Sequence, residues 1–307
     1  MPFNVRMFTR GLAALAAFGL VLVSACPALS AAPEVIKLAE GVFAFIGEDN
    51  GTNSGFVVTD EGVVVIDSQG PKGLALQLKQ KIKEVTDKPV IYVINTHFHG
   101  DHAFGNQYFA EARAIISHDN ARKTLIEGNG AHKERFKKFF GETSLDEFVL
   151  TLPTLTFHDT LTLRAGARTF ELVHTGPAHT YGDIYVYMPD EKIVFAGDLL
   201  YRARLPWLGD GDSKGALDAI STLINLNANM YVPGHGGLST RSDAAEYQAY
   251  LTDLRKEVKK LVDTGNTLDD VRKAVKLPAY SSYDKYKEWL RLNVEKVYKE
   301  MTEGAGK

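Results

Sequence analysis

The sequence predicts an α/β fold with a helical extension at its C-terminus, and three observations carry that expectation. Apolar runs of strand length recur between Val35 and Val232, several of them ending on a histidine or aspartate beside a glycine. A helical pattern from Lys72 to Thr86, with Leu74, Leu78, Ile82 and Val85 on one face, separates two of these runs. After Ser239 the composition changes to long helical patterns without histidine.

The first thirty residues stand apart from the fold. Arg6 and Arg10 precede an apolar run, Gly11 to Val23, that is too short to span a bilayer comfortably, and small residues follow at Ala28 to Ala32. This is the pattern of a secretory signal peptide cleaved after Ser30 or Ala31, which predicts a periplasmic or secreted protein. A second reading stays open: Val23-Ser24-Ala25-Cys26 resembles a lipoprotein box, with Cys26 as a lipid anchor. Pro27 and the short linker behind it favour ordinary cleavage. Cys26 is the only cysteine, so no intramolecular disulfide can form.

Val35 to Thr59 reads as two or three antiparallel strands around the polar turn Glu48 to Gly55. Val63 to Ile66 is a buried strand ending on Asp67, and Val90 to Ile94 is another. Asn106 to Ala112 suits a short helix, Ala114 to Ser117 a strand and Asn120 to Glu127 a helix. Gly128 to Ser144 reads as a polar, partly helical, exposed connection. Strands are expected at Leu150–Phe157, Leu161–Arg164, Arg168–His174, Ile184–Met188 and Ile193–Ala196, then an amphipathic helix at Lys214–Leu226 and a short strand at Met230–Val232. The tail carries helical patterns at Asp243–Val262 and Ser282–Met301, with an N-cap signal at Thr267-Leu268-Asp269-Asp270 between them. A formal net charge of -3 and the lack of a basic stripe argue against a nucleic-acid partner. No other apolar run is long enough for a membrane span.

The chemistry concentrates behind Val90–Ile94, in Asn95-Thr96-His97-Phe98-His99-Gly100-Asp101-His102. In an extended segment His97 and His99 project to one side, because side chains alternate with period two. Gly100 lets the backbone turn, so Asp101 and His102 point at a second place nearby. Two neighbouring metal ions need this division of donors. Imidazole and carboxylate suit zinc, with iron and manganese as further candidates. His179, Asp198 and His235 share the placement, each near glycine at the end of an apolar run. Taken singly, His179 also suits a turn cap and Asp198 a helix N-cap before Leu199. His118, His132, His158 and His174 fit no ligand slot.

This set resembles the metallo-β-lactamase superfamily, over about Glu34 to Ser239. The family pattern is a strand-end aspartate, here Asp67, a His-x-His-x-Asp-His loop, a later histidine, a bridging aspartate and a final histidine. The resemblance implies an αββα sandwich, two mixed sheets face to face with helices outside and metals at one rim. The implied organisation is a signal peptide at 1–30, a metallo-β-lactamase-like domain at 31–240 and a helical extension at 241–307. By the same resemblance His97, His99 and His179 hold one zinc, Asp101, His102 and His235 hold a second, and Asp198 bridges them. Asp67 orients the loop, and Asp101 serves catalysis by passing a proton to the leaving group. The implied activity is hydrolysis of a small-molecule ester, thioester or lactone. Family branches that hydrolyse β-lactams usually carry cysteine or serine where this chain has Asp198, which leaves weak β-lactamase activity as an alternative. A mononuclear iron dioxygenase of persulfide-dioxygenase type is another. The segment Leu199 to Ser213 resembles the SoxH-like group, which includes quinoprotein relay system metallohydrolases. Tyr181, Tyr201, Arg204 and Trp207 would line the metal rim if the loops fold over it.

Overall fold

The computed structural model describes Met1 and residues 33–70, 72–141 and 144–303. The expected signal peptide and Cys26 lie outside the described residues. Residues 31–307 cluster as one compact unit.

The chain opens with a four-strand antiparallel meander, β1 (Glu34–Ala39), β2 (Val42–Ile46), β3 (Ser54–Val58) and β4 (Val63–Ile66). Helix α1 (Lys72–Val85) then crosses over to β5 (Val90–Ile94), which pairs parallel to β4. A short helix α2 (Gly100–Ala103) and a 3-10 turn (Phe104–Phe109) follow where the sequence suggests a helix from Asn106. Next come β6 (Ala114–His118), α3 (Asp119–Glu127), α4 (Asn129–Phe140) and β7 (Leu155–Phe157), which completes a 7-stranded sheet in the order β1 to β7. The second sheet has five strands: β8 (Thr160–Ala165), β9 (Arg168–His174), β10 (Ile184–Met188), β11 (Ile193–Tyr201) and, beyond α5 (Ser213–Asn225), β12 (Met230–His235) beside β11. The tail adds α6 (Arg241–Val262), α7 (Leu268–Ala274) and α8 (Tyr286–Thr302).

Strand periodicity builds the layers. Along β4, Val64 and Ile66 face a core shared with Phe170, Leu172, Val186 and Phe195 of the second sheet. Val63 and Val65 face the opposite way and pack with Leu78 and Ile82 of α1. On β11, Val194 and Ala196 pack with α5, α6 and α8. The result is helix, sheet, sheet, helix, the αββα sandwich with helices added at the C-terminus. Strands buried on both faces have to be apolar at every position, which is why they read as continuous runs.

Further elements differ from the sequence expectation, among them β12, which runs to His235 and not only to Val232. β7 has three residues instead of the eight from Leu150 to Phe157, since Pro153 has no N–H to donate and Leu150 and Leu152 pack against Phe136 and Leu145. β11 does not stop at Ala196 but runs on through Gly197 (φ +51°) to Tyr201, so Asp198 lies inside a strand. The connection 128–144 is partly helical as expected, but its helix α4 is not wholly exposed: it buries Phe136 in a cluster with Phe98 and Phe104. The N-cap signal at Thr267 forms a complete capping box with Asp270, and Thr240 forms a second one with Asp243, which the sequence reading did not mark.

Candidate metal centre

Strand ends at one rim of the sandwich bring the polar residues together. Asp67, directly after β4, adopts a left-handed backbone (φ +60°) that a short polar side chain tolerates. Its carboxylate accepts from the Thr96 N–H (2.7 Å) and the Thr96 hydroxyl (2.8 Å), and lies 2.8 Å from His102 Nδ1. It thus ties the end of β4 to the loop leaving β5 and aims the other nitrogen of His102 inward. Helix α2 turns the chain so that Asp101 and His102 project past His97 and His99.

Two groups of donors result: His97, His99, His179 and Asp198, and then Asp101, His102 and His235, with the ligand atoms in each group within 4.8 Å of one another. All seven residues are buried. Asp198 joins the groups through different oxygens. Its Oδ2 lies 3.1 Å from His179 Nε2 and 3.7 Å from His97 Nε2. Its Oδ1 lies 3.2 Å from His102 Nε2 and 3.6 Å from His235 Nε2. Asp101 Oδ2 lies 3.3 Å from His235 Nε2 and 3.5 Å from His102 Nε2. Gly234 makes room for this packing, because a Cβ there would stand 1.9 Å from Asp198 Oδ1.

The donor set fits metal. His97 Nε2, His102 Nε2 and Asp198 Oδ1 are buried without a hydrogen-bond partner among the described residues. Such atoms are costly unless something satisfies them. His99 Nδ1 and His179 Nε2 face each other at 2.8 Å, as lone pairs converging on a shared electrophile would. Nitrogen and carboxylate oxygen are the donors borderline cations take.

Electrostatics point the same way. Burial opposes charge on every group here, and at Asp101, His102, His179, Asp198 and His235 mutual attraction overrides it. The carboxyl of Asp198 is held well below its ordinary range by His235, His102, His179 and His97. Against the same burial, Asp198, Asp101 and Asp67 hold His102 well above the usual imidazole range. His97 goes the other way, pushed well below that range by burial and by the neighbouring His102. The carboxylates therefore favour positive charge at the centre of the cluster.

Residues outside the donor set support it, and two of them, Asp210 and Thr52, were given no role by the sequence. Asp210 Oδ2 lies 2.9 Å from His99 Nε2 and accepts from Arg135 (2.6 Å) and the Trp207 indole (3.1 Å). Burial brings His99 down to about 4, against the upward pull of Asp210. Thr52 donates its hydroxyl to Asp101 Oδ2 (2.7 Å), and Tyr201 donates to Asp198 Oδ2 (2.5 Å). The turn glycines flanking Asp210 and the polar run around Thr52 are the only sequence cues to either. His118 and His174 stack on each other at 3.8 Å, and His132 lies against Phe98; none of them joins the two groups. A cavity of about 260 Å³ opens on the cluster. Tyr201, Arg204 and Trp207 line it as the sequence suggests, whereas Tyr181 is not among its lining residues.

The comparisons agree with this architecture. The family model described as the metallo-beta-lactamase superfamily matches residues 47–235. A metallo-beta-lactamase type 2 of Bacillus sp. (strain 170) is 27% identical over 197 residues, 62% of this chain and 69% of its own length. The 2,4-dinitroanisole O-demethylase subunit alpha of Nocardioides sp. (strain JS1661) is 24% identical over 196 residues, and the match spans about half of it, 55%. The solved metallo-beta-lactamase from Pontibacter korlensis superposes with a TM-score of 0.60 at 24% identity, over 72% of this chain and 99% of that one. A family match over more than half of the chain, on a matching fold, means that the chain belongs to the metallo-β-lactamase superfamily.

Proposed function

We propose that this chain is an exported dinuclear zinc hydrolase acting on an ester, thioester or lactone. The observation that carries the two-metal reading is Asp198, whose two oxygens face different donor groups. His97, His99 and His179 would hold one ion, Asp101, His102 and His235 the other, and Asp198 both. When bound, the pair supplies Lewis acidity and a water that ionises near neutral pH. The chain's own residues do the rest. Asp67 and Asp210 hold His102 and His99 in orientation from outside. Thr52 fixes Asp101, whose carboxylate takes up the proton lost by the attacking water and passes it to the leaving group as the scissile bond breaks. Burial of all seven donors keeps bulk water from competing at the centre.

The complete second group, Asp101, His102 and His235, supports this reading over a mononuclear iron dioxygenase. Asp198 in the bridging position argues against β-lactams as the main substrate. The fold leaves the substrate open, since one relative is named for β-lactams and another for an aryl methyl ether. Within the superfamily, the segment Leu199 to Ser213 supports affinity with the SoxH-like group.

The test is a hydrolysis panel of thioesters, lactones, aryl esters and a chromogenic cephalosporin on protein of measured metal content. Two zinc ions per chain and turnover of at least one ester-class substrate are expected. His99→Ala and Asp198→Ala should each lower the rate by a factor of about a hundred or more. Full rates in both variants would reject the reading, and one iron per chain would favour the dioxygenase. Export predicts that the mature protein, recovered from the periplasm or medium, begins near Ala31 or Ala32, or carries a lipid on Cys26.

A further inference from the structure

The cavity over the metal cluster has walls that the proposed chemistry does not require. One wall is the last turn of α4, with Phe136 buried and Phe139 exposed. The other comes from the segment after β11 and from α8, which bring Trp207 and Trp289 into an edge-on pair at 5.9 Å. These are the only two tryptophans in the chain, and both line this cavity. So much aromatic surface beside a polar centre is suited to an apolar substrate body.

The charge on the walls is positive. Arg135 is already paired with Asp210, and it lies over the Phe136 ring at 5.2 Å. Arg204 is buried over the Trp289 ring at 5.0 Å and pairs with Asp284 at 3.3 Å, yet its Nε has no partner among the described residues. Lys138 lines the same space beside Phe139, exposed and without a carboxylate within ion-pair distance among the described residues. The two acids that line the cavity, Asp101 and Asp198, both belong to the metal cluster. A cation next to an exposed phenylalanine suits a ligand that is apolar along its length and anionic at one end.

We propose that the cavity selects substrates with a flat or extended apolar body and an anionic group. The body lies against Trp207, Trp289 and Phe139, and the anion is held by Lys138. This rests on the hydrolase reading for the bond that is broken, but binding can be read without turnover. The two tryptophans make the full-length protein its own sensor.

The probe is 4-nitrobenzenesulfonate, an anionic aromatic quencher and a poor metal ligand, compared with nitrobenzene and methanesulfonate. Saturable quenching of tryptophan emission by the sulfonate is expected, with affinity roughly five- to tenfold tighter than for nitrobenzene, and methanesulfonate should not compete at the same concentrations. Lys138→Glu should abolish that preference while leaving nitrobenzene binding unchanged. Phe139→Ala, at an exposed position where folding is not at stake, should weaken both aromatic probes by about threefold. Equal binding of charged and neutral probes, or a preference that survives Lys138→Glu, would overturn the proposal. Quenching as expected on protein that turns over no ester would instead remove the hydrolase reading and leave the cavity assignment standing.

Discussion

Asp198 and Gly234 have to be understood together. Strand β12 passes so close to β11 that the place of a side chain at 234 is filled by Asp198 Oδ1. Gly234→Ala is therefore expected to push the carboxylate out of place and cost most of the bound metal, with activity falling by about a hundredfold or more. Elemental analysis of the purified variant checks this; full metal content would show that β12 yields instead. Asp210 acts from further out, through one oxygen shared among His99, Arg135 and Trp207. Burial works against its charge, but His99 and Arg135 hold its carboxyl far below the usual range. Asp210→Asn should lower metal affinity by about ten- to a hundredfold, read by competition with a chromogenic chelator. An unchanged affinity would reduce Asp210 to a packing role.

Among the elements, β11 and α6 show how backbone rules position the site. The left-handed Gly197 and the register shifts against β12 let β11 continue past the bend, carrying Asp198 and Tyr201 to the rim. Helix α6 starts sharply because Thr240 accepts from the Asp243 N–H while Asp243 accepts from the Thr240 N–H. Its buried face, including Tyr247, Tyr250 and Leu254, then meets the second sheet in register. Thr240→Ala is expected to cost about 1 kcal/mol, measured as a shift in the urea midpoint at unchanged slope. Acid should act on the same cap. Burial opposes the Asp243 charge, yet the Thr240 donors and Arg202 together outweigh it and lower its carboxyl below the ordinary value. The unfolded chain binds that proton more readily, so this contribution is present above the unfolded value, near ~3.9, and fades as pH falls through the lower folded one.

At the scale of the molecule, the tail and the sandwich share a core. Tyr247, Tyr250, Leu251, Leu254, Val258, Val294 and Val297 are buried in one cluster with Leu199, Leu200 and Tyr231 of the second sheet. At ~1.5–3 kcal/mol for each large apolar side chain, a few of these match the ~5–15 kcal/mol that holds a typical domain folded. Truncation after Ser239 should therefore yield insoluble or unfolded protein, judged by circular dichroism and gel filtration. A soluble, cooperatively folded fragment would show that the sandwich stands alone. No helix among the described residues is long and apolar enough to cross a membrane.

How much was legible in the sequence follows from what kind of information each feature needs. Strands buried on both faces must be apolar throughout, so β4, β5 and β10 could be read directly. The dense donor loop behind β5 was legible because six neighbouring residues carry most of one site. Capping is local too, and Thr267 with Asp270 announced α7. The sequence by itself thus determined most of the strands and helices and the inventory of donors, while the layers were implied by the family resemblance. Only the tertiary structure decided which oxygen of Asp198 meets which group, that Asp210 and Thr52 stand behind His99 and Asp101, and that Trp289 from the last helix reaches the cavity. Those pairings join residues far apart in the chain, and no local period or propensity encodes a contact that exists only once the sheets have packed.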